Sequence, residues 1–264
     1  MTVSILGCGW FGQALADALL RKGTAVQGST TSPDKLAVLQ NAGVIPYLID
    51  LAGEADPGVY ASFFSCDVLV VSIPPRVLQQ PAGSFLKQVE KLIGLLCRYE
   101  AKQIIFISST SVYGDNCGSV DERDEPKPDH VSGEVLLAAE RMFREQTLFR
   151  TAIVRFGGLI GPGRDPGRFF AGKKDVPNGL APVNLIHLRD CIGICQAVLQ
   201  KQWYGYTLNA CAPQHPSRKG FYTKASHDAG LELPEFVDES VAVKIVNSVY
   251  AGPELGYEFQ EKIG

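Results

Sequence analysis

The stretch TVSILGCGWFG, residues 2–12, decides the fold of this chain. Its opening residues, TVSIL, are mostly apolar or β-branched and predict a buried strand. Gly7, Gly9 and Gly12 then follow with the spacing GxGxxG and open a segment, 10–22, whose apolar residues recur at helical spacing. Between a strand and a helix, this glycine spacing is specific for a turn that binds the diphosphate of a dinucleotide.

Each glycine of the turn has a mechanical reason in a dinucleotide site. Gly7 permits the tight turn, Gly9 lets the backbone approach the diphosphate, and Gly12 lets the helix pack against the strand. The backbone N–H groups of Trp10 and Phe11 are predicted to face the phosphates, where the helix dipole favours an anion. The alternative is a glycine turn that holds no ligand.

The end of the second predicted strand favours NADP over NAD as the nicotinamide dinucleotide. NAD sites usually carry an acidic residue there, which bonds the ribose 2′-hydroxyl, whereas this chain has GSTTS at 28–32. The hydroxyls of Thr30, Thr31 and Ser32 and the ammonium group of Lys35 are suited to a 2′-phosphate. Because no Arg is present in this stretch, NAD stays open as the second choice.

The carboxyl ends of the other predicted strands complete the expected cofactor site, because ligands of doubly wound sheets bind in the crevice at those ends. Asp50 and Leu51, which close the third strand, either meet the adenine or form an ordinary strand-end turn. The remaining residues predicted to bind the cofactor lie at the ends of the fourth and fifth predicted strands, and they are Ser72, Ile73, Pro74 and Ser108.

Strands and helices alternate as far as Arg155, which predicts an α/β fold: a Rossmann-type, doubly wound parallel sheet with a small C-terminal substrate lobe. The predicted nucleotide-binding domain comprises residues 1–155 and 183–210, and the predicted substrate lobe comprises 156–182 and 211–264. The stretch 157–179 is rich in Gly, Pro and charge, so we expect a long loop or part of a lobe without regular structure. The C-terminal end is expected to form a small α+β cap.

Composition excludes several classes of function. With 25 Lys and Arg against 28 Asp and Glu, the 264 residues carry a net charge of −3, so nonspecific nucleic-acid binding is not expected. Neither a membrane-spanning apolar run nor a signal peptide is predicted. Seven scattered cysteines without a CxxC pair indicate a cytoplasmic protein without a metal site. Cys191 and Cys195 are predicted core residues, and Cys8 either packs in the glycine turn or acts as a redox thiol.

Three further motifs extend the pattern: SSTSVYG at 108–114, RFGGLIGPGR at 155–164 and NLIHLRDCIG at 184–193. Their order after the glycine turn resembles that of the extended short-chain dehydrogenases/reductases, the NAD-dependent epimerase/dehydratase family. The resemblance implies an oxidoreductase or epimerase acting on a small polar substrate, with sugar nucleotides among the candidates. It also implies that Ser109 polarises a substrate oxygen, and that a homodimer forms through helices near 84–99 and 132–148.

The chain departs from that family at its two central catalytic residues. Alignment on Glu140 places Ser132 where the family has its Tyr general base and Leu136 where it has its Lys. A serine hydroxyl is a far weaker acid than a phenol, and a leucine carries no charge, so neither residue replaces its counterpart. The helix residues Val135, Leu136, Ala139 and Phe143 instead predict a buried apolar stripe.

Other side chains are alternatives for proton transfer or substrate binding. Tyr113 is predicted as a catalytic proton donor, with a structural role as its alternative. The remaining candidates for proton transfer, each with a structural or solvated alternative, are His130, Lys173, Lys174 and His187. The predicted substrate-binding residues are Ser132, Arg164 and Arg168. Two functions stay open: an NAD(P)-dependent enzyme that lacks the usual Tyr/Lys pair, and a non-catalytic NADP(H)-sensing regulatory protein.

Overall fold

The computed structural model describes residues 1–53, 57–75, 77, 79, 81 and 83–264. Strands and helices alternate along the first half of the chain: β1 (Thr2–Leu6), α1 (Trp10–Leu20), β2 (Ala25–Thr30), α2 (Asp34–Asn41), β3 (Ile45–Leu48), α3 (Pro57–Phe64), β4 (Val68–Val71), α4 (Ser84–Arg98) and β5 (Gln103–Ser109). The second half contains β6 (Gly118–Val120), α5 (Val131–Arg144), β7 (Arg150–Phe156), β8 (Gly158–Ile160), α6 (Gly167–Phe170), β9 (Leu185–His187), α7 (Leu188–Lys201), β10 (Thr207–Ala210), α8 (Arg218–Asp228) and β11 (Lys244–Val246).

The central sheet has seven strands in the order β10-β7-β5-β4-β1-β2-β3. Strand β1 pairs in parallel with β2 and β4, and the pairs β2–β3 and β4–β5 are parallel too. The chain therefore winds outward in one direction from β1 and in the other direction from β4. This order confirms the predicted doubly wound α/β fold and places its topological switch point between the ends of β1 and β4.

The buried residues explain why these segments form these elements. All of β4 is buried, as expected for an inner strand of a parallel sheet covered on both faces. Helix α4 buries Phe85, Val89, Leu92 and Leu96, which recur at spacings of three and four and so lie on one face. None of the helices in the described ranges has the length and apolar content of a membrane span.

Internal contacts divide the chain into two compact units. The first unit comprises Met1–Ser108, Glu134–Val154 and Val198–Thr207, and the second comprises Ser109–Gly133, Arg155–Ala197 and Leu208–Gly264. The second unit contains two small parallel sheets, β6–β11 and β8–β9. The domains predicted above differ from these units, because they group residues 109–133, 155, 183–197 and 208–210 with the nucleotide-binding part. That functional division stays a prediction.

The stretch 157–179 contains regular structure that we did not expect. Strand β8 and the short helix α6 both lie within it. Strand β8 forms because a distant segment, β9, supplies its hydrogen-bond partner. Helix α6 is held from outside as well, since the Ser226 hydroxyl donates to the carbonyl of Gly167 at 2.8 Å. The Gly and Pro content was therefore a poor guide to this stretch, where tertiary contacts outweigh local preference.

Candidate functional site

The three glycines of the turn after β1 differ in what surrounds them. Gly7 has a φ of +97°, and a Cβ there would lie 2.8 Å from the carbonyl oxygen of Ser72. A Cβ on Gly12 would lie 2.5 Å from the carbonyl oxygen of Gly7, so the helix can approach the turn only without a side chain. A Cβ on Gly9 would meet no atom of the described residues within 4 Å. Gly9 therefore faces open space at the N-terminus of α1, which is the geometry that lets a diphosphate approach the backbone.

Ser29 anchors this turn to the neighbouring strand. Its hydroxyl accepts the N–H of Gly7 at 3.0 Å, and its carbonyl accepts the N–H of Cys8 at 2.8 Å. Ser29 was not among the predicted site residues, and its place within GSTTS at the end of the second predicted strand is the one signal in the sequence that points to it. Within the helix that follows, Phe11 is buried and Trp10 is half-buried.

Cys8 is a packing residue of the turn. Its side chain is buried, and a Cβ on Gly28 would lie 2.6 Å from its Sγ. Burial raises the pKa of the Cys8 thiol to about 12, although a backbone hydrogen bond at Ser29 opposes the shift. A raised pKa disfavours the thiolate, which is the reactive form, so burial and packing favour the packing interpretation of Cys8 over the redox one.

Polar side chains gather at the end of β2, where the ribose phosphate was predicted. Thr30 is buried, and its hydroxyl accepts the N–H of Ser32 at 3.1 Å. Thr31 and Lys35 are exposed, and Ser32 is half-buried. This part of the chain therefore offers a hydroxyl and an ammonium group to solvent.

The end of β3 forms a strand-end turn. One carboxylate oxygen of Asp50 accepts the N–H of Ala52 at 2.9 Å, and Leu51 is buried. Of the two interpretations given above for Asp50 and Leu51, this geometry favours the turn. At the end of β4, Ser72 and Ile73 are half-buried and Pro74 is exposed. The N–H of Ser72 donates to the carbonyl of Leu6 at 2.9 Å, at the switch point of the sheet.

Ser108 points into the protein. Its hydroxyl donates to Glu140, a fully buried carboxylate, at 2.7 Å. The second oxygen of Glu140 accepts from Arg144 at 3.1 Å, and the same nitrogen of Arg144 donates to the Thr207 hydroxyl at 2.9 Å. The described contacts of Ser108 thus join β5 to α5, and its predicted cofactor contact stays without geometric support.

In the second unit, Ser109 orders the turn that follows β5. Its side-chain oxygen accepts the N–H of Ser111 at 3.1 Å and caps a short 3-10 turn, Thr110–Val112. The residue is half-buried. A hydroxyl held in this way keeps its own proton for donation, which is what a group that polarises a substrate oxygen must do.

Tyr113 is buried, and its hydroxyl is fully engaged. Arg155, also buried, donates to the phenol oxygen at 2.7 Å, and the phenol lies within donating distance of the Asp121 carbonyl (2.9 Å) and the Asn209 side-chain oxygen (3.2 Å). Burial raises the pKa of Tyr113, and Arg155 only partly opposes the rise. A buried phenol with three partners has a structural role, so the geometry does not favour Tyr113 as the predicted catalytic proton donor.

The first turns of α5 contain Ser132 and Leu136, the two residues that the alignment above places at the family's Tyr and Lys. Ser132 is half-buried, and the buried side chains of Leu136, Ala139 and Phe143 form the expected apolar stripe, with Val135 half-buried. A Cβ on Gly133 would lie 2.2 Å from the carbonyl oxygen of Ser111, so the helix start lies directly against the turn after Ser109. Leu136 therefore packs as a core residue, as the predicted apolar stripe requires.

The other predicted substrate-side residues lie on the surface of the second unit. Arg164 is exposed, and Nε of Arg168 lies 4.0 Å from a carboxylate oxygen of Asp165. Lys174 forms an ion pair with Glu235 at 2.6 Å, which favours the solvated alternative for this residue. Three other candidates for proton transfer also make local contacts. The ammonium of Lys173 lies 5.2 Å from the ring centroid of Phe170, Nδ1 of His187 accepts the N–H of Arg189 at 3.2 Å, and Nε2 of His130 lies 3.0 Å from Asp115.

Two carboxylates that we did not predict organise the second unit. Asp190, fully buried at the start of α7, accepts the Tyr257 hydroxyl at 2.7 Å and the N–H groups of Gln260 and Glu261 at 2.7 and 3.2 Å. Glu122 accepts the N–H groups of two other segments. Asp190 lies within the NLIHLRDCIG motif, so the motif signalled it without showing its partners.

The cysteines of α7 support the core interpretation. Cys191 and Cys195 are both fully buried, and burial raises the pKa of each thiol. Protonated thiols are poor metal ligands, because the thiolate is the ligating form.

Comparison with known proteins agrees with this fold. The family model described as NADP oxidoreductase, coenzyme F420-dependent, matches residues 2–96. MoeE5, solved in complex with UDP-glucuronic acid and NAD, has a TM-score of 0.82 and 20% identity, covering 99% of this chain and 95% of MoeE5. The UDP-glucose 4-epimerase of Thermotoga maritima, solved with UDP-glucose, has a TM-score of 0.81 and 16% identity, covering 99% and 94%. At these identities the likeness establishes the fold.

A closer relative is protein YeeZ of Escherichia coli K12. It is 38% identical over 262 residues, which cover 98% of this chain and 95% of YeeZ. Because the match spans nearly all of both proteins, this chain belongs to the YeeZ family, with the Rossmann-type fold of the sugar-nucleotide epimerases.

Proposed function

We propose that the chain binds NAD(P)(H) through the turn Gly7–Gly12, with NADP(H) preferred. The observation that carries the proposal is the open space beside Gly9, at a helix N-terminus next to the switch point of the sheet. A phosphate can approach the backbone N–H groups only where no side chain intervenes, as at Gly9, whereas Gly7 and Gly12 are needed for the turn itself.

Two further observations support this cofactor. The matching family model is described as an NADP oxidoreductase, and MoeE5 was solved with NAD. The preference for NADP(H) rests on the end of β2, where Thr31 and Lys35 are exposed and residues 28–33 include no acidic side chain. An ammonium group and a hydroxyl suit a 2′-phosphate, whereas an NAD site usually has a carboxylate.

For the reaction we propose oxidation–reduction or epimerisation of a small polar substrate, with sugar nucleotides as the first class to test. A bound nicotinamide supplies hydride transfer. Ser109 would donate a hydrogen bond to the substrate oxygen, and Ser132, Arg164 and Arg168 would contact the rest of the substrate. We also keep, as predictions, a homodimer, a cytoplasmic location, and no binding to nucleic acid, membranes or metal ions.

A second candidate function is the sensing of NADP(H) without catalysis. The predicted loss of the family's Tyr and Lys favours this candidate. Ser132 and the buried Leu136, which align with those two residues, offer neither a phenol nor a cation. The buried Tyr113 does not fill the gap. In this case dinucleotide binding alone would change the conformation or the partners of the protein.

Calorimetric titration with NADP+, NADPH, NAD+ and NADH tests the cofactor site. We expect Gly9→Ala to lower the affinity about tenfold or more while the melting temperature changes little, because its methyl group enters the open space and its φ of −82° suits alanine. The matched control is Gly94→Ala in α4, where an added Cβ also meets nothing. The proposal fails if wild type binds none of the four forms, or if Gly9→Ala binds as wild type does.

A cofactor-turnover assay with sugar nucleotides and small carbonyl compounds separates the two functions. Turnover that Ser109→Ala abolishes would establish the enzyme and rule out the sensor. Dinucleotide binding without turnover on any member of the panel would favour the sensor.

A further inference from the structure

A charged cluster brings together side chains from three segments of the second unit. It consists of Asp115, Asp129, His130 and Lys244. Nε2 of His130 lies 3.0 Å from one carboxylate oxygen of Asp115 and 3.7 Å from Asp129. The other oxygen of Asp115 accepts from Lys244, whose ammonium also donates to the carbonyl of Tyr113 at 3.3 Å. The cluster thus joins residues 113–118 to residues 127–130, which end two positions before Ser132, and to Lys244 of β11.

The backbone is tightly fitted at this junction. A Cβ on Gly114 would lie 2.8 Å from the carbonyl oxygen of Lys127. The N–H of Asp115 donates to Asp129 at 2.7 Å. The two segments therefore meet through their backbones as well as through the charged side chains, although Asp115, Asp129 and His130 are themselves exposed.

The charge balance of the cluster depends on one proton. Two carboxylates and one ammonium group leave a net negative charge when His130 is neutral, and its protonation cancels that charge. The hydrogen bond with Asp115 and the charge of Asp129 raise the pKa of His130, while Lys244 opposes them. Although partial burial opposes it, the pKa of Asp115 is lowered by Lys244 and His130. Burial raises the pKa of the nearby Cys117 thiol, the charges of Asp115 and Asp129 add to the rise, and the charge of Lys244 opposes it.

A metal ion is a weaker interpretation of the same residues. Asp115, Asp129 and His130 bring three possible ligand atoms within 4.8 Å of one another. The ammonium group of Lys244 already bonds Asp115, so the chain supplies a cation of its own at this position.

We propose that His130 is a pH-responsive clasp that, when protonated, holds residues 113–118 against residues 127–130. The clasp closes below the usual pKa of histidine, about 6.5, and loosens as the pH rises through the raised pKa of the folded state. The clasped segments adjoin Tyr113 and Ser132. When the clasp loosens, the turn that Ser109 caps should therefore become more mobile too. The inference concerns the second unit alone and stands whether or not the chain binds a dinucleotide.

Hydrogen exchange of the full chain between pH 5.5 and 8.5, corrected for the intrinsic exchange rate, tests the clasp. In wild type we expect protection of residues 113–118 and 127–133 to fall about two- to fivefold as the pH rises, the size typical of exposed ion pairs. In His130→Gln this pH dependence should disappear. The control His227→Gln removes an exposed histidine that faces Asp228 and should behave as wild type.

Two results would overturn the clasp: protection in wild type that does not change with pH, or the same decline in His130→Gln as in wild type. NMR titration of the His130 ring provides a check without a histidine substitution. Its pKa should lie above that of free histidine and should fall in Asp115→Asn, and an unshifted pKa would contradict the proposal.

Discussion

Replacing Asp190 by Asn should destabilise the protein measurably. Asp190 is fully buried and accepts three hydrogen bonds, two at one oxygen and one at the other. An asparagine keeps one acceptor oxygen, but its NH2 group faces a donor at the second position. Hydrogen bonds to a charged group contribute about 1.5–3 kcal/mol, so we expect the free energy of unfolding to fall by about 2–3 kcal/mol. For a chain of 264 residues this corresponds to a drop in melting temperature of about 4–6 °C.

Thermal unfolding of a double-mutant cycle would localise this effect. Tyr257→Phe removes the hydroxyl that donates to Asp190, and the double variant should cost less than the sum of the two single changes because they remove a shared contact. Asp17→Asn, at an exposed position paired with Arg21, is the control and should shift the melting temperature little. If Asp190→Asn matches that control, or if the two changes are additive, the carboxylate does not hold the C-terminal segment as described.

Three shorter predictions concern the cofactor, the buried phenol and pH. Lys35→Ala should weaken NADPH about three- to tenfold and leave NADH unchanged in calorimetry, since only NADPH carries the 2′-phosphate; equal losses would contradict the assignment. Tyr113→Phe should lower the free energy of unfolding by about 1–3 kcal/mol, because the buried Arg155 loses an acceptor. The affinity for NADPH should stay unchanged. Loss of NADPH binding at unchanged stability would argue against a structural role for Tyr113. Burial lowers the pKa of His215, whose Nε2 is buried without a partner in the described part of the chain. Because the unfolded chain then takes up its proton first, stability should fall as the pH drops below about 6.5 in thermal melts, and less so in His215→Gln.

The order of elements in the nucleotide-binding half was predictable because it depends on local patterns. Runs such as VLVV at 68–71 and the helical spacing of Phe85, Val89, Leu92 and Leu96 match the strand and helix observed. The glycine turn was predictable for the same reason, since Gly7 and Gly12 meet steric limits set by residues close in sequence or on the adjacent strand. Strands β8 and β9 were harder, because each is short and exists only through pairing with the other.

The side-chain partners were beyond reach of a linear pattern. Tyr113 stood in a motif, yet its burial against Arg155 and Asn209 depends on residues 42 and 96 positions away. Ser108 was assigned to the cofactor, but its hydroxyl bonds Glu140 on a helix that follows a long connection.

The amino-acid order alone settled that a glycine turn follows a buried strand in an alternating α/β chain. The resemblance to the extended short-chain dehydrogenases/reductases added the prediction that Ser132 and Leu136 occupy the positions of the family's Tyr and Lys. Only the folded chain decided which polar groups are buried and paired, and hence that Tyr113, Ser108 and Asp190 support the structure. The physical reason is that turn geometry and amphipathic spacing are properties of neighbouring residues. The state of a buried hydroxyl or carboxylate depends instead on partners brought together from distant parts of the chain.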